Sequence, residues 1–267
     1  MSRIQDCFKT LSTRNQKALV AFITAGDPDL ESTRKIFEVI EKNGADIIEL
    51  GVPFSDPLAD GPVIQGSSQR ALKSGTTLKK ILGMVAEIRE NSQIPIVLMT
   101  SFNPVFVYGQ EKFIDDALRA GADGVIIPDL PPEEADEFST LAEEKGLDMI
   151  FLLAPTSTGE RVARVGNLSR GFIYYVSLTG TTGMRESLAK SLAEKVKAIK
   201  SAVRLPVLVG FGISGPDQAR EAVQCADGVV VGSAIVRLIE QNGDPLQRDE
   251  KVGRFVAEVK KAISQLS

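Results

Sequence analysis

With 267 residues the chain is long enough to bury a full core, as one large α/β domain or two small ones. Apolar residues make up 43% and charged residues 25%, the balance of an ordinary globular protein. Lys and Arg total 31 against 35 Asp and Glu, and the net charge of −4 argues against an electrostatic nucleic-acid binder, which carries a basic face.

The chain opens on Ile4-Gln5-Asp6-Cys7-Phe8-Lys9-Thr10-Leu11, which reads as a short helix ahead of the first strand, a lid on the floor of the fold. Residues 1–10 hold charges at Arg3, Asp6 and Lys9 and no apolar core, so no secretory signal is expected. Apolar, β-branched runs then recur at residues 19–25, 45–51, 94–101, 124–129, 148–154, 172–177, 206–212 and 228–233. They are nearly continuous in apolar residues, as parallel strands covered on both sides must be. Between them lie segments with spaced apolar positions, among them 32–43, 133–145 and 188–202, each an amphipathic helix. No run reaches the ~18 residues of a membrane span. Cys7 and Cys225 are too few for a disulfide framework and lack metal spacing, which predicts a reducing, cytoplasmic setting.

A phrase repeats along the chain. Asn43-Gly44-Ala45-Asp46-Ile47-Ile48 resembles Ala120-Gly121-Ala122-Asp123-Gly124-Val125, with a looser copy at Cys225-Ala226-Asp227-Gly228-Val229-Val230. Each falls where a helix ends and a strand begins, and Gly44 and Gly121 suit a left-handed helix cap. These read as αβ turns, and they fix the βα period. Eight β-then-α units match a (β/α)8 TIM barrel, with a short N-terminal helix and extra helices in the βα loops. A doubly wound open sheet is the competing architecture. No linker is visible, so residues 1–267 are expected to form one barrel domain.

In such a barrel the chemistry sits at the carboxyl ends of the strands. None of the eight predicted ends carries Lys for an imine, and none carries a His or carboxylate cluster for a metal. Histidine is absent from the whole chain, so carboxylates must move any protons. Glu49 ends the second run, and desolvation against Ile47, Ile48 and Leu50 should raise its pKa. A solvated rim residue or ion-pair partner is its other reading. Asp60 follows in a loop stiffened by Pro53, Pro57 and Pro62, where Asp-Gly-Pro also makes a plain turn. Asp56 and Asp27 each precede proline and read as turn residues, while Asp129 is open to either role. Late glycines cluster at Gly180-Thr181-Thr182-Gly183, Gly210-Phe211-Gly212 and Gly232-Ser233. The last two follow strands seven and eight, the common phosphate cradle of this fold, which needs no basic pocket. Phe22, Ile64, Met99, Ile126, Tyr174 and Phe211 could line a flat apolar pocket or simply be core.

Over nearly its full length the chain resembles the tryptophan synthase alpha chain family. The resemblance is carried by Ile47 to Gln65 (IIELGVPFSDPLADGPVIQ), by Asn103-Pro104 with Tyr108-Gly109, and by Pro128-Asp129-Leu130-Pro131. Thr179-Gly180-Thr181-Thr182-Gly183 and Gly210-Phe211-Gly212-Ile213-Ser214 complete the set. The resemblance implies retro-aldol cleavage of indole-3-glycerol phosphate to indole and glyceraldehyde 3-phosphate. Glu49 would be the general acid/base, and Asp60 would hold the indole N–H. Thr182 would meet Asp60 on loop closure, Tyr174 would line the pocket, and Gly183, Gly212, Gly232 and Ser233 would hold the phosphate. A pyridoxal-phosphate beta chain would receive the indole in an alpha2-beta2 assembly, with Pro53 and Asp56 at the contact. The alpha chain itself would need no cofactor and no metal. Leu178 departs from members that carry a basic residue there. A stand-alone lyase that releases indole would share these motifs. A non-catalytic relative is disfavoured by the presence of both carboxylates, and another sugar-phosphate barrel enzyme is the remaining alternative.

Overall fold

The computed structural model describes residues 2–57, 60–176, 185–210 and 212–264, the side chains of 185–190 excepted. In chain order α1 (Arg3–Thr13) precedes β1 (Ala18–Thr24), α2 (Leu30–Lys42) and β2 (Ile47–Gly51). Two helices, α3 (Pro62–Lys73) and α4 (Leu78–Arg89), lead to β3 (Ile96–Met99). Two more, α5 (Phe102–Tyr108) and α6 (Gln110–Ala120), lead to β4 (Gly124–Ile126), then α7 (Asp136–Lys145). The fifth run forms β5 (Asp148–Ile150) and β6 (Leu152–Leu153), followed by α8 (Gly159–Leu168) and β7 (Ile173–Val176). The chain closes with α9 (Arg185–Ala202), β8 (Val207–Gly210), α10 (Pro216–Ala222), β9 (Gly228–Val231), α11 (Ser233–Gln241) and α12 (Pro245–Ser264).

All strand pairs are parallel, in the order β5-β4-β3-β2-β1-β9-β8-β7-β6. The two outer members are halves of one run, joined through Phe151, so the sheet closes on itself as an eight-strand TIM barrel. The strand period of two then sorts the side chains. Ala18, Val20, Ile47, Val97, Ile126, Phe172, Tyr174 and Leu208 fill the barrel, while Leu19, Ala21, Ile48, Leu50, Ile96, Leu98 and Ile173 meet the helix ring. Of the three residues expected to wall Glu49, only Ile47 shares its inward face; Ile48 and Leu50 point the other way.

The strands β2 to β4 are shorter than the apolar runs, and β1 is shifted from its run by one residue. Ala25, Thr100 and Ile127 of the runs, and Val52 just beyond one, are buried past the ends of β1 to β4. The amide of Ala25 still bonds Gly51 O (2.9 Å) and that of Val52 bonds Met99 O (2.8 Å), so burial outlasts regular pairing by about a residue.

The repeated Gly-Ala-Asp phrase has a structural reason. Gly44 and Gly121 turn the chain with φ of +100° and +95°. Each Asp then accepts an amide at the start of the strand before it: Asp46 from Leu19 (2.7 Å), Asp123 from Ile96 (2.8 Å) and Asp227 from Val207 (2.9 Å). Each also holds a cation, namely Lys260, Arg3 with Arg89, and Lys200. These carboxylates staple the amino-terminal rim of the barrel and leave the opposite rim for chemistry. The same end is plugged by α1, as expected of a floor. Ile4 is fully buried among the inward side chains, and Ser2 caps the helix while its hydroxyl reaches Asp148 (2.5 Å).

Candidate active site

Glu49 lies on β2, in register with Phe22 of β1 and Val97 of β3, and two residues on from the inward-facing Ile47. That position turns it into the barrel near its carboxyl-terminal mouth. It is 1% exposed, and neither carboxylate oxygen has a hydrogen-bond partner among the described residues. A bare buried carboxylate is costly, so the group holds its proton. Burial, with the negative charge of Asp60 added, pushes its pKa up to about 8.

Asp60 sits at the entry to α3, its amide on Pro57 O (3.0 Å) and its carbonyl accepting from the Gln65 side chain (2.8 Å). Its amide thus closes back on Pro57, while the Gly61-Pro62 that follows opens α3 and does not form a separate turn. Its carboxylate nevertheless faces the cavity that Glu49 lines. Partial burial, then the charge of Asp129, pushes Asp60 up to about 6. Asp129 accepts the Phe102 amide at the head of α5 (2.8 Å), a capping role the sequence left open.

The shared cavity holds about 300 Å³. Phe22, Ile64, Met99 and Tyr174 line it, as expected of a ring pocket, and so do Gly212, Gly232 and Ser233. Ile126 does not: it is fully buried among the inward side chains. Tyr174 is held as a neutral phenol by burial and by Glu49 and Asp60, which raise its pKa well above the usual value. Two glycines make room for the aromatic walls. A Cβ at Gly51 would lie 2.6 Å from Phe22 Cζ, and one at Gly210 would lie 2.5 Å from Tyr174 Oη. A second cavity of about 390 Å³ shares Phe22, Asp60, Ile64 and Met99 and opens toward Asp56, Asn103 and Asp129. Asp56 is exposed there, whereas Pro53 is buried behind the loop. Thr182, Gly183, Phe211 and Leu178 lie outside the described residues.

Two residues escaped the sequence reading. Arg237 lines the first cavity, one helical turn beyond Ser233 on α11, so the wall is not free of basic charge as expected. The four-residue spacing from Ser233 was the available signal. Asp27, read as a turn residue, is 2% exposed and grips Arg70 through both oxygens (2.8 and 2.9 Å). Its partner lies 43 positions away, beyond any local pattern. Among the described residues no group of three or more His, Cys, Asp or Glu is placed to hold a metal.

The profile of the tryptophan synthase alpha chain family matches residues 8–264. The chain belongs to that family. A tryptophan synthase alpha chain from Geotalea uraniireducens is 57% identical over 264 residues, covering 98% of each chain, and one from Geobacter sulfurreducens is 54% identical over 263. The crystal structure of the alpha subunit from Legionella pneumophila superposes with a TM-score of 0.91 at 38% identity, covering all of both chains. Tryptophan synthase alpha chains cleave indole-3-glycerol phosphate to indole in tryptophan biosynthesis, and this chain is a lyase subunit of that kind. Membership also implies a beta chain as partner. No helix among the described residues is long and apolar enough to cross a membrane.

Proposed function

We propose that Glu49 and Asp60 carry the cleavage as a pair whose pKa values are set apart by burial. Near neutral pH Glu49, at about 8, is protonated and Asp60, at about 6, is a carboxylate. Glu49 donates its proton to indole C3, and the ring becomes cationic. Asp60 accepts a hydrogen bond from the ring N–H and offsets that charge. The glycerol hydroxyl next to C3 then loses its proton to the Glu49 carboxylate. Its oxygen lone pair closes the carbonyl, the C3–C bond breaks, and those electrons neutralise the ring. Indole and glyceraldehyde 3-phosphate are the products, and Glu49 ends protonated as it began. The cationic ring is the electron sink, so the scheme calls on neither an imine nor a metal.

Phe22, Ile64, Met99 and Tyr174 offer the ring its apolar walls, and Gly212, Gly232 and Ser233 offer the phosphate close backbone approach at the head of α11. Gly183 and Thr182 are assigned to the same cradle and to loop closure on the strength of the sequence resemblance.

The indole passes to a beta chain in an alpha2-beta2 assembly, in this reading. An apolar patch supports a partner at the mouth: Phe106 and Val107 on α5 are 64% and 78% exposed, and Asn103 of the same helix lines the outer cavity with Asp56. Asp56 then belongs to the contact, with Pro53 bracing its loop from beneath. The unpaired Cys7 and Cys225 suit a reducing cytoplasm.

The observation that carries the mechanism is the bare, buried carboxyl of Glu49 facing the cavity it shares with Asp60. The test is cleavage of indole-3-glycerol phosphate by the purified chain, alone and mixed with a tryptophan synthase beta chain. Activation on mixing is expected. High activity alone with no complex would favour the stand-alone lyase, and no cleavage in either case would reject the reading.

A further inference from the structure

Arg70 has no part in the chemistry above, yet it joins three elements around the cavity. Its Nε and Nη2 bond the two oxygens of Asp27 in the loop after β1 (2.8 and 2.9 Å). Its Nη1 bonds Glu240 Oε1 on α11 (2.7 Å). The Asp27 anchor is fixed: the neighbouring Gly26 amide bonds Thr33 Oγ1 (2.9 Å), and the Gly26 carbonyl accepts from Ser74 Oγ (3.2 Å). The α3 helix is further tied to the end of β1 by Ser67 and Thr24 (2.6 Å). Between α3 and α11, by contrast, the Arg70–Glu240 pair is the one side-chain hydrogen bond among the described residues.

Both helices start at the cavity. Asp60, Gly61 and Ile64 line it at the head of α3, and Gly232, Ser233 and Arg237 line it at the head of α11. Arg70 and Glu240 lie roughly two turns down their helices, about 10–12 Å from those heads. A clasp at that depth sets how far apart the heads stand. A bidentate, planar guanidinium resists sliding and rotation in a way an ammonium does not.

We propose that Arg70 is a positioning residue: clasped by Asp27 and Glu240, it fixes the separation between Asp60 and the head of α11, so that the cavity fits the length of a two-ended substrate, an aromatic ring joined to a phosphoester. The proposal rests on the reading of Asp60 and α11 given under "Proposed function". It distinguishes the whole substrate, which must meet both heads at once, from either half, which needs only one.

The experiment measures kcat and KM for indole-3-glycerol phosphate, together with the separate binding of indole and of glycerol 3-phosphate, in the full chain. Arg70→Met is expected to lower kcat/KM about 10²-fold, the effect of a displacement of about 1 Å. Each half should bind within about three-fold of the parent, since each head stays intact. Arg70→Lys should recover part of the loss. Glu240→Gln, at an exposed position, should cost about three-fold and add nothing in the Arg70→Met background, as expected of members of one clasp. Arg70→Met leaves the buried Asp27 charge alone, so Asp27→Asn with Arg70→Met is the folded control; it should regain thermal stability without regaining kcat/KM. A folded Arg70→Met or double variant with kcat/KM within two-fold of the parent overturns the proposal, as does an equal loss in the binding of the halves. Failure of the parent chain to cleave the substrate overturns the functional reading and the clasp with it.

Discussion

Glu49 carries a cost that only its chemistry explains. Its folded pKa of about 8 stands far above the 4.5 of an ordinary glutamate. Below pH 4.5 both folded and unfolded chains hold the proton, and no penalty exists. Between about pH 4.5 and 8 the unfolded chain ionises first, so Glu49 lowers stability as pH rises, by up to roughly 4 kcal/mol if nothing relaxes. Glu49→Gln removes that term. The variant should melt higher than the parent at pH 8 and equally at pH 4, as thermal melts at the two pH values will show. Its kcat should fall by at least about 10²–10⁴-fold, and near-parental turnover would mean another group moves the proton. For the intact pair, activity requires Glu49 protonated and Asp60 ionised. The kcat/KM profile, which reports the free enzyme, should therefore be a bell whose limbs fall near pH 6 and pH 8. Asp60→Asn should lower the rate and erase the acidic limb from what remains. The sequence showed Glu49 as a carboxylate in a chain without histidine, and its strand-end position followed from the apolar run before it. It could not show that the oxygens lack partners, because that depends on Phe22, Val97 and Tyr174 arriving from other strands. Asp60 is harder still: its backbone is an ordinary turn, and only the cavity beyond it separates the two roles.

Glycines mark which rim of each strand does what. Gly51 ends β2 at the mouth, and its missing Cβ leaves space for the tip of the Phe22 ring. Gly228 starts β9 at the floor, where a Cβ would stand 2.5 Å from the Ala18 carbonyl oxygen. A ring can swing aside and a paired backbone cannot. Gly51→Ala should therefore displace Phe22 into the ring pocket and raise KM about ten-fold, with an overpacking cost of about 1–3 kcal/mol. Gly228→Ala should cost more stability and leave kcat/KM of the folded fraction unchanged. Urea melts and steady-state kinetics on both variants separate the effects; equal losses of activity would contradict the division of rims. Much of this was legible. The eight runs and the Gly-Ala-Asp turns gave the βα period, because each turn repeats the same local demand: a tight turn, left-handed at Gly44 and Gly121, then an Asp for the amide of the strand before it. The break of the fifth run at Phe151 was not legible, since an apolar residue between two half-strands looks like any other. The Asp27–Arg70 contact was hidden for the opposite reason, being polar, buried and distant in sequence.

At the scale of the whole barrel, stability and chemistry occupy opposite ends. The floor is built by α1 and by the stapling carboxylates. Ile4 is fully buried there, and a Cβ on Gly124 would lie 3.2 Å from its Cδ1, so the plug touches the starts of the strands themselves. Phe8 adds a tilted ring contact with Phe172 at 5.9 Å. Along β1, Ala18 at the floor and Thr24 at the mouth are separated by roughly 20 Å of strand. A defect at Ile4 has the inward side chains of Val20 and Ile47, two residues nearer the floor than Phe22 and Glu49, between it and Glu49. Those side chains are close-packed, so a cavity opened at the floor costs its lost contacts in place and is not passed upward as a change in the mouth. Ile4→Ala should then cost about 2–5 kcal/mol, as large-to-small changes in a core do. For a chain of this size that lowers Tm by roughly 5–15 °C. Below the new melting range kcat/KM, expressed per folded molecule, should equal that of the parent, and the pH limbs near 6 and 8 should stay in place because the burial of Glu49 and Asp60 is untouched. Calorimetry alongside the pH–rate profile provides the measurement. A shifted alkaline limb in Ile4→Ala would show that water admitted at the floor reaches Glu49, and the barrel interior would then be one continuous space instead of a packed plug beneath a separate site.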